Sequence, residues 1–311
     1  MSADISAKVN FIVNENKPLS PGENINILKE LATLDPLEDR AFKILLSDDA
    51  QFALLAEAFT GQKIDEDCII DINGEIVFTV KGRLIRLDSL RDTSLGYVNM
   101  EGQIVATDFP YKRHIFHSAA IYVNGIQKSD SWQDLKPVVS IVVYKDKGEA
   151  SLIETAFMSG DLVKGEDDRK QLHLVAINTK KWNDAKSADL KIYLSTLHYG
   201  ILTEDNKSRF ANVDIDDPVF VAFQSAVKRA CATTKQQEYK EKGDDFMATQ
   251  YATFITEEEK QAAIAKGYER TRMALRLLKE DTPVAEVAKM CQMTVREVEN
   301  LRNDLVELRR A

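Results

Sequence analysis

Three side chains able to handle a metal ion and a phosphate lie close together in the sequence. Asp88 falls in "IRLDSL", and Glu101 and Gln103 fall in "VNMEGQIV". Successive strand residues point to opposite faces, so Glu101 and Gln103 share one face while Val98, Met100 and Ile104 share the other. A hard cation such as Mg2+ takes oxygen ligands, usually one or two carboxylates with retained waters. Asp88 and Glu101 would supply the carboxylates if their segments pair, and the Gly102 carbonyl would add a third oxygen. Such an ion acidifies a water and stabilises charge on a phosphoryl oxygen. Gln103 would aim its amide at that water or at the phosphate. A solvated edge strand produces the same polar alternation with no chemistry attached, and on these residues alone both readings stand.

The elements that must position these residues are legible in outline. The opening "NENKPLSPGEN" is rich in Asn, Pro, Gly and Ser and reads as an irregular extension. In "LEDRAFKILLSDDAQFALLAEAF", Phe42, Leu45, Leu46, Leu54, Leu55, Ala58 and Phe59 recur at helical spacing. Ser47 with Asp48 and Asp49 marks a break and N-cap between two helices, and Gly61 ends the second. The period then changes to two. "CIIDINGEIVFTV" carries an Asn73-Gly74 turn signal, and "GRLIRLDSL" and "GYVNMEGQIVA" read as a hairpin joined by the polar "RDTSLG". Arg86 and Asp88 share a face of its first strand, opposite Ile85 and Leu87. A helix begins near Asp108 and Pro110 and places Arg113, His117 and Ile121 on one side. "PVVSIVVY" and "QLHLVAIN" read as buried strands. Beyond Pro218 every segment reads as helix.

The chain has 311 residues, 44% of them apolar and 29% charged, with a net charge of −9. A chain of this length buries about three quarters of its unfolded surface and needs no disulfide or metal to fold. Cys68, Cys231 and Cys291 are odd in number and far apart, which suits reduced, structural thiols. No apolar run approaches a membrane span, and the N-terminus lacks a secretion-signal pattern, so the expectation is a cytoplasmic protein with no membrane partner. The negative charge argues against a protein that coats nucleic acid non-specifically, yet permits contact through one local patch.

In this order, "DRAFKILLSDD", "IRLDSL", "GYVNMEGQ", "YKRHIFHSAAIYVNGI", "DLKPVVSIVVY" and "LHLVAINTKKW" resemble the recombination-promoting nuclease/transposase family of PD-(D/E)xK nucleases. "KGYERTRMALRLLKEDTPVAEVAKMCQMTVREVENLRN" resembles that family's C-terminal region, so the likeness spans roughly residues 37–305. It implies an α/β fold: a restriction-endonuclease-like mixed sheet flanked by helices, with an all-helical C-terminal region. The implied division is an N-terminal extension over 1–30, a nuclease-like core over 31–205 and a helical region over 206–311. It further implies a DNA endonuclease using Mg2+ or Mn2+. Asp88 matches the core aspartate, Glu101 the second acid, and Gln103 the position that holds Lys in the wider superfamily and often Gln in this branch. Asp39 matches an acid on the first helix and Arg113 an arginine suited to a phosphate. Leu87 stands where the superfamily name has Pro, and Gln103 brings no positive charge, for which Arg86 could compensate. The alternative is a catalytically decayed member of the same fold that binds DNA or a protein partner.

The remaining features read more plainly. His114 and His117 are expected to be structural or exposed, His173 and His198 to belong to the core or an edge, and Trp132 and Trp182 to pack. "TPVAEVAKMCQMTVREVENL" has a helix–turn–helix cadence, with Pro283 opening one helix, Gln292-Met293 turning and Thr294 capping the next. Glu297 and Glu299 suit phosphates poorly. The pair is therefore expected to pack on the core or on a second copy, which would make a homo-oligomer, rather than to read DNA as a regulator.

Overall fold

The computed structural model describes residues 19–64, 69–71, 78–80, 83–85, 87–104, 110–125, 131, 134–145, 152–159, 170–279, 282–291 and 293–308. Cys68, Asn73-Gly74, Arg86, Asp108, Trp132 and Gln292 lie outside them. Chain order gives α1 (Pro21–Leu31), α2 (Asp39–Leu46), α3 (Asp49–Thr60), β1 (Ile70–Asp71), β2 (Phe78–Val80), β3 (Arg83–Ile85), β4 (Ser89–Thr93), β5 (Gly96–Gln103) and α4 (Pro110–Asn124). There follow β6 (Val138–Tyr144), β7 (Ile153–Ser159), β8 (Lys170–Asn178), α5 (Ala188–Tyr199), α6 (Pro218–Glu241), α7 (Asp245–Lys279), α8 (Val284–Met290) and α9 (Val295–Leu308).

A mixed, open sheet runs β1-β4-β5-β6-β8-β7, with β5, β6 and β8 parallel and the outer pairings antiparallel. The expected α/β architecture is present, and among the described residues every element after β8 is a helix. β6 is buried along its whole length because helices cover both faces of the sheet at that point. On one face Val98, Met100, Val139, Ile141, Val143, Val175 and Ile177 meet α1 to α3, α5 and α6. On the other, Leu87, Leu90, Val138 and Leu172 meet Ala120 and Ile121 of α4.

Local signals set several boundaries. Asp48 accepts hydrogen bonds from the Ala50 and Gln51 amides and caps α3, which ends at Gly61 in the left-handed region. Residues 20–24, read as irregular, instead open α1. Ser20 and Glu23 form a capping box there, and Pro21 needs no amide partner in a first helical turn. The hairpin also differs from its expected form. Arg83–Ile85 pairs with Phe78–Val80 in a separate two-stranded sheet, and the strand beside β5 is Ser89–Thr93. Arg91, Asp92 and Thr93 are thus strand rather than linker, and the turn is only Ser94-Leu95. The Thr93 hydroxyl accepts from the Leu95 amide and donates to the Gly96 carbonyl, while Gly96 takes a φ of 99° to close the turn.

Arg91 explains why a polar-looking stretch is drawn into the sheet. Its buried guanidinium donates to the Leu46 carbonyl at 3.0 Å and to Asp49 Oδ1 at 3.3 Å, and lies 5.3 Å from the centre of the Phe52 ring. It locks β4 against the end of α2 and the start of α3. At the other end of the chain, α8 and α9 pack on α7 through Ala274, Val287, Ala288, Cys291 and Val298. Thr294 caps α9 as expected, its hydroxyl oxygen accepting from the Glu297 amide, and Glu297 accepts in return from the Thr294 amide and hydroxyl. Arg91→Ala removes these guanidinium contacts together and strands a buried carbonyl. It is expected to destabilise the fold by about 3 kcal/mol in urea denaturation.

Candidate metal centre

β5 is an interior strand, hydrogen-bonded to β4 on one side and β6 on the other. The solvated-edge alternative therefore fails, and Glu101 is only 1% exposed. Its face of β5 carries Asn99, Glu101 and Gln103, and α4 lies across it. One turn of α4 lowers Arg113, His114 and His117 onto the carboxylate. His117 Nδ1 lies 2.6 Å from Glu101 Oε1, and the Asn99 amide donates to the same oxygen at 3.1 Å. His114 Nδ1 is 3.7 Å and the Arg113 guanidinium 3.8 Å from Oε2. Burial alone would raise the Glu101 pKa. The hydrogen bond and charge of His117, with His114 and Asn99, outweigh that cost and hold it below the usual glutamate value.

Asp88 lies just before β4. Its Oδ2 accepts from the Gly102 amide at 3.1 Å, and Lys43 Nζ of α2 sits 3.8 Å from Oδ1. Lys43 also pairs with Asp39 at 3.1 Å, which brings the expected accessory acid to the edge of the site. Burial, followed by the charges of Glu101 and Asp39, pushes the Asp88 pKa up to about 7 against the pull of Gly102 and Lys43. Gly102 itself is fixed by packing, since a Cβ there would fall 2.7 Å from the Phe42 ring. The Tyr97 amide and the Gln103 carbonyl bond on the β6 side, to Pro137 and Lys145. Alternation then turns the Gly102 N–H and C=O to the β4 side, where the N–H donates to Asp88. Asp88 and Glu101, with the Gly102 carbonyl, would offer a hard divalent ion the oxygen donors it prefers.

Gln103 does not project freely. Its Nε2 lies 3.4 Å from His114 Nε2, and burial holds the His114 pKa down to about 4. Arg113 reaches the site with half its side chain exposed. His114 and His117, read as structural or exposed, are buried around Glu101. With Asn99 and Lys43 they are the site residues that the strand pattern alone did not reveal. Their signals were present: a three-residue spacing on one helix, a period-two partner of Glu101, and a lysine one turn after Asp39. A Glu101–His114–His117 cluster results, with one donor atom from each residue lying within 4.8 Å of the others.

No family model, curated protein or solved structure matches the chain.

Folded Asp88 keeps its proton up to about pH 7, whereas an unfolded aspartate loses it near 3.8. The folded state thus binds the extra proton across that window, and stability falls as pH rises through it. Asp88→Asn, which cannot ionise, is expected to be more stable than the wild type at pH 8 without divalent ions, by on the order of 2 kcal/mol. The difference should vanish at pH 4, as read from urea denaturation at both values.

Proposed function

We propose that the chain is a metal-dependent DNA endonuclease of the PD-(D/E)xK kind, related to the recombination-promoting nuclease/transposase family that its ordered segments resemble. The observation that carries this reading is the pair of carboxylates at the open end of the β4–β5 hairpin, where the Asp88 pKa is pushed up to about 7 by burial and by the charge of Glu101, and Asp88 Oδ2 accepts from the Gly102 amide. A buried aspartate with a raised pKa beside a second carboxylate is a poor structural device and a good cation trap. Mg2+ or Mn2+ held there would supply Lewis acidity toward a phosphate oxygen and lower the pKa of a water.

The chain's own residues have distinct tasks. Asp88 and Glu101 hold the ion, and His117 and Asn99 fix the orientation of Glu101. Arg113, anchored near Glu101 and half exposed, offers a planar guanidinium to the phosphate flanking the scissile bond. Lys43 brings to Asp88 the positive charge that Gln103 lacks, from α2 instead of from β5. The Asp39 carboxylate keeps that ammonium in place.

The turn of the Gln103 amide toward His114 favours a second reading, a decayed member of the same fold that binds DNA or a protein without cutting. Mutagenesis separates the two. With Mg2+ or Mn2+, Asp88→Ala and Glu101→Ala should each lower cleavage of supercoiled plasmid by at least about 100-fold while circular dichroism stays native. Lys43→Met should lower it about tenfold or more, and Gln103→Lys in that background should restore part of the loss. A folded wild type that leaves the plasmid intact, with cutting only in Gln103→Lys, would establish the decayed reading.

A further inference from the structure

The α4 side of Glu101 differs chemically from the Asp88 side. Instead of oxygens it offers two imidazoles, His114 and His117, one helical turn apart and both buried. One donor atom from each lies within 4.8 Å of a Glu101 oxygen and of the other. Ligands bound at about 2.0–2.2 Å in a tetrahedral shell sit about 3.3 Å apart, so small rotations would seat an ion among the three.

A second observation points the same way. Four buried polar atoms around this cluster have no hydrogen-bond partner: His114 Nδ1, Gln103 Oε1, Asn99 Oδ1 and Ser140 Oγ. Each such atom costs roughly 1–3 kcal/mol unless something satisfies it. One rearrangement answers Gln103 Oε1 and leaves His114 Nδ1 as an open acceptor that an ion would satisfy. Flipping the Gln103 amide, whose oxygen and nitrogen have nearly the same shape, lets Oε1 accept from His114 Nε2–H. His114 then carries its proton on Nε2 and presents the Nδ1 lone pair to the space beside Glu101 Oε2. This is the usual support for a metal-bound histidine, with the far ring nitrogen held by a hydrogen bond that fixes tautomer and angle. A cavity of about 150 Å³, lined by His114, Ser140, Val142 and Glu154 among others, opens alongside. Of the three ligands only His114 lines it, and it has room for several waters beside that imidazole.

We propose that Glu101, His114 and His117 form a binding site for a divalent first-row transition ion of the Zn2+ and Co2+ class, with Gln103 as the residue that orients His114. Two nitrogens and one oxygen suit these ions, whereas Mg2+ prefers an all-oxygen shell and gives up its waters reluctantly. The site shares only Glu101 with the ligand set of the proposed cleavage reaction and does not depend on that reaction. Gln103 on this account is kept as an amide because it must accept from an imidazole, a task a lysine cannot perform.

The test is calorimetric titration of the full-length, chelator-treated protein with Zn2+, Co2+ and Mg2+, alongside thermal melts. Wild type is expected to bind one Zn2+ and one Co2+ per chain at least about 100-fold more tightly than Mg2+, and to melt higher with Zn2+ than with equal Mg2+. His117→Gln should weaken Zn2+ binding by about 100-fold, and Gln103→Ala by about tenfold through loss of support to His114. Asp88→Asn should leave Zn2+ affinity within about threefold, which separates this site from the all-oxygen set. The proposal is overturned if wild type shows no preference for Zn2+ over Mg2+, a measurement that needs no variant to fold. It is equally overturned if a folded His117→Gln binds as the wild type does, which would place the ion on other residues such as the cysteines. Loss of plasmid cleavage alone bears on the nuclease reading and leaves this one standing.

Discussion

A carboxylate on the central strand of a mixed sheet, 1% exposed, must have its charge answered locally, because the idealised cost of moving such an ion out of water is of order 20 kcal/mol. Glu101 meets that requirement with His117 at 2.6 Å and Asn99 at 3.1 Å, and more distantly with His114 and Arg113. The position of α4 follows from this. Its apolar side, through Ala120 and Ile121, packs on Leu90, Val138 and Leu172, and its polar turn comes down on the glutamate. Ridge packing alone would tolerate other rotations of that helix; the buried charge selects this one.

The opposite face of the same strand is set by a different constraint. Val98, Met100 and the bare Cα of Gly102 lie against the main core, where Phe42 of α2 leaves no space for a side chain at 102. That close approach carries Asp39 and Lys43, on the same helix, to the end of the hairpin where Asp88 sits. Arg91 supports the arrangement from inside the sheet by tying β4 to the junction of α2 and α3. The candidate site therefore lies where two well-packed layers meet, with β5 contributing to both. Apart from Asp88, which lies just before β4, its groups are positioned by strands and helices rather than by loops, which is what catalysis by orientation requires.

Much of this was legible where the determinants are local. The period-two pattern of 98–104 put Glu101 and Gln103 on one face, and the apolar runs at 138–144 and 171–178 marked β6 and β8. Asp48 and Gly61 marked the ends of α3. What escaped was decided by tertiary contact. Arg91 and Asp92 look like linker residues until Asp49, Leu46 and Phe52 supply a buried setting for a guanidinium. Ile153–Ser159 reads poorly as a strand because Glu154 and Thr155 interrupt it, yet it pairs at the edge with β8. The spacing of His114 and His117 was plain, but which side of α4 faces Glu101 cannot be read from one helix. The first helix is an exception, since the Ser20–Glu23 capping box is local and was masked by the neighbouring Pro and Gly.

The central claim is that the Glu101 carboxylate is a metal ligand rather than one half of a structural pair with His117. Crystals soaked in Mn2+ and measured at an energy where manganese scatters anomalously test it directly. The account expects an anomalous peak within about 2.0–2.3 Å of a Glu101 oxygen. An ordered manganese elsewhere, with Glu101 still bonded to His117 at 2.6 Å, would contradict it.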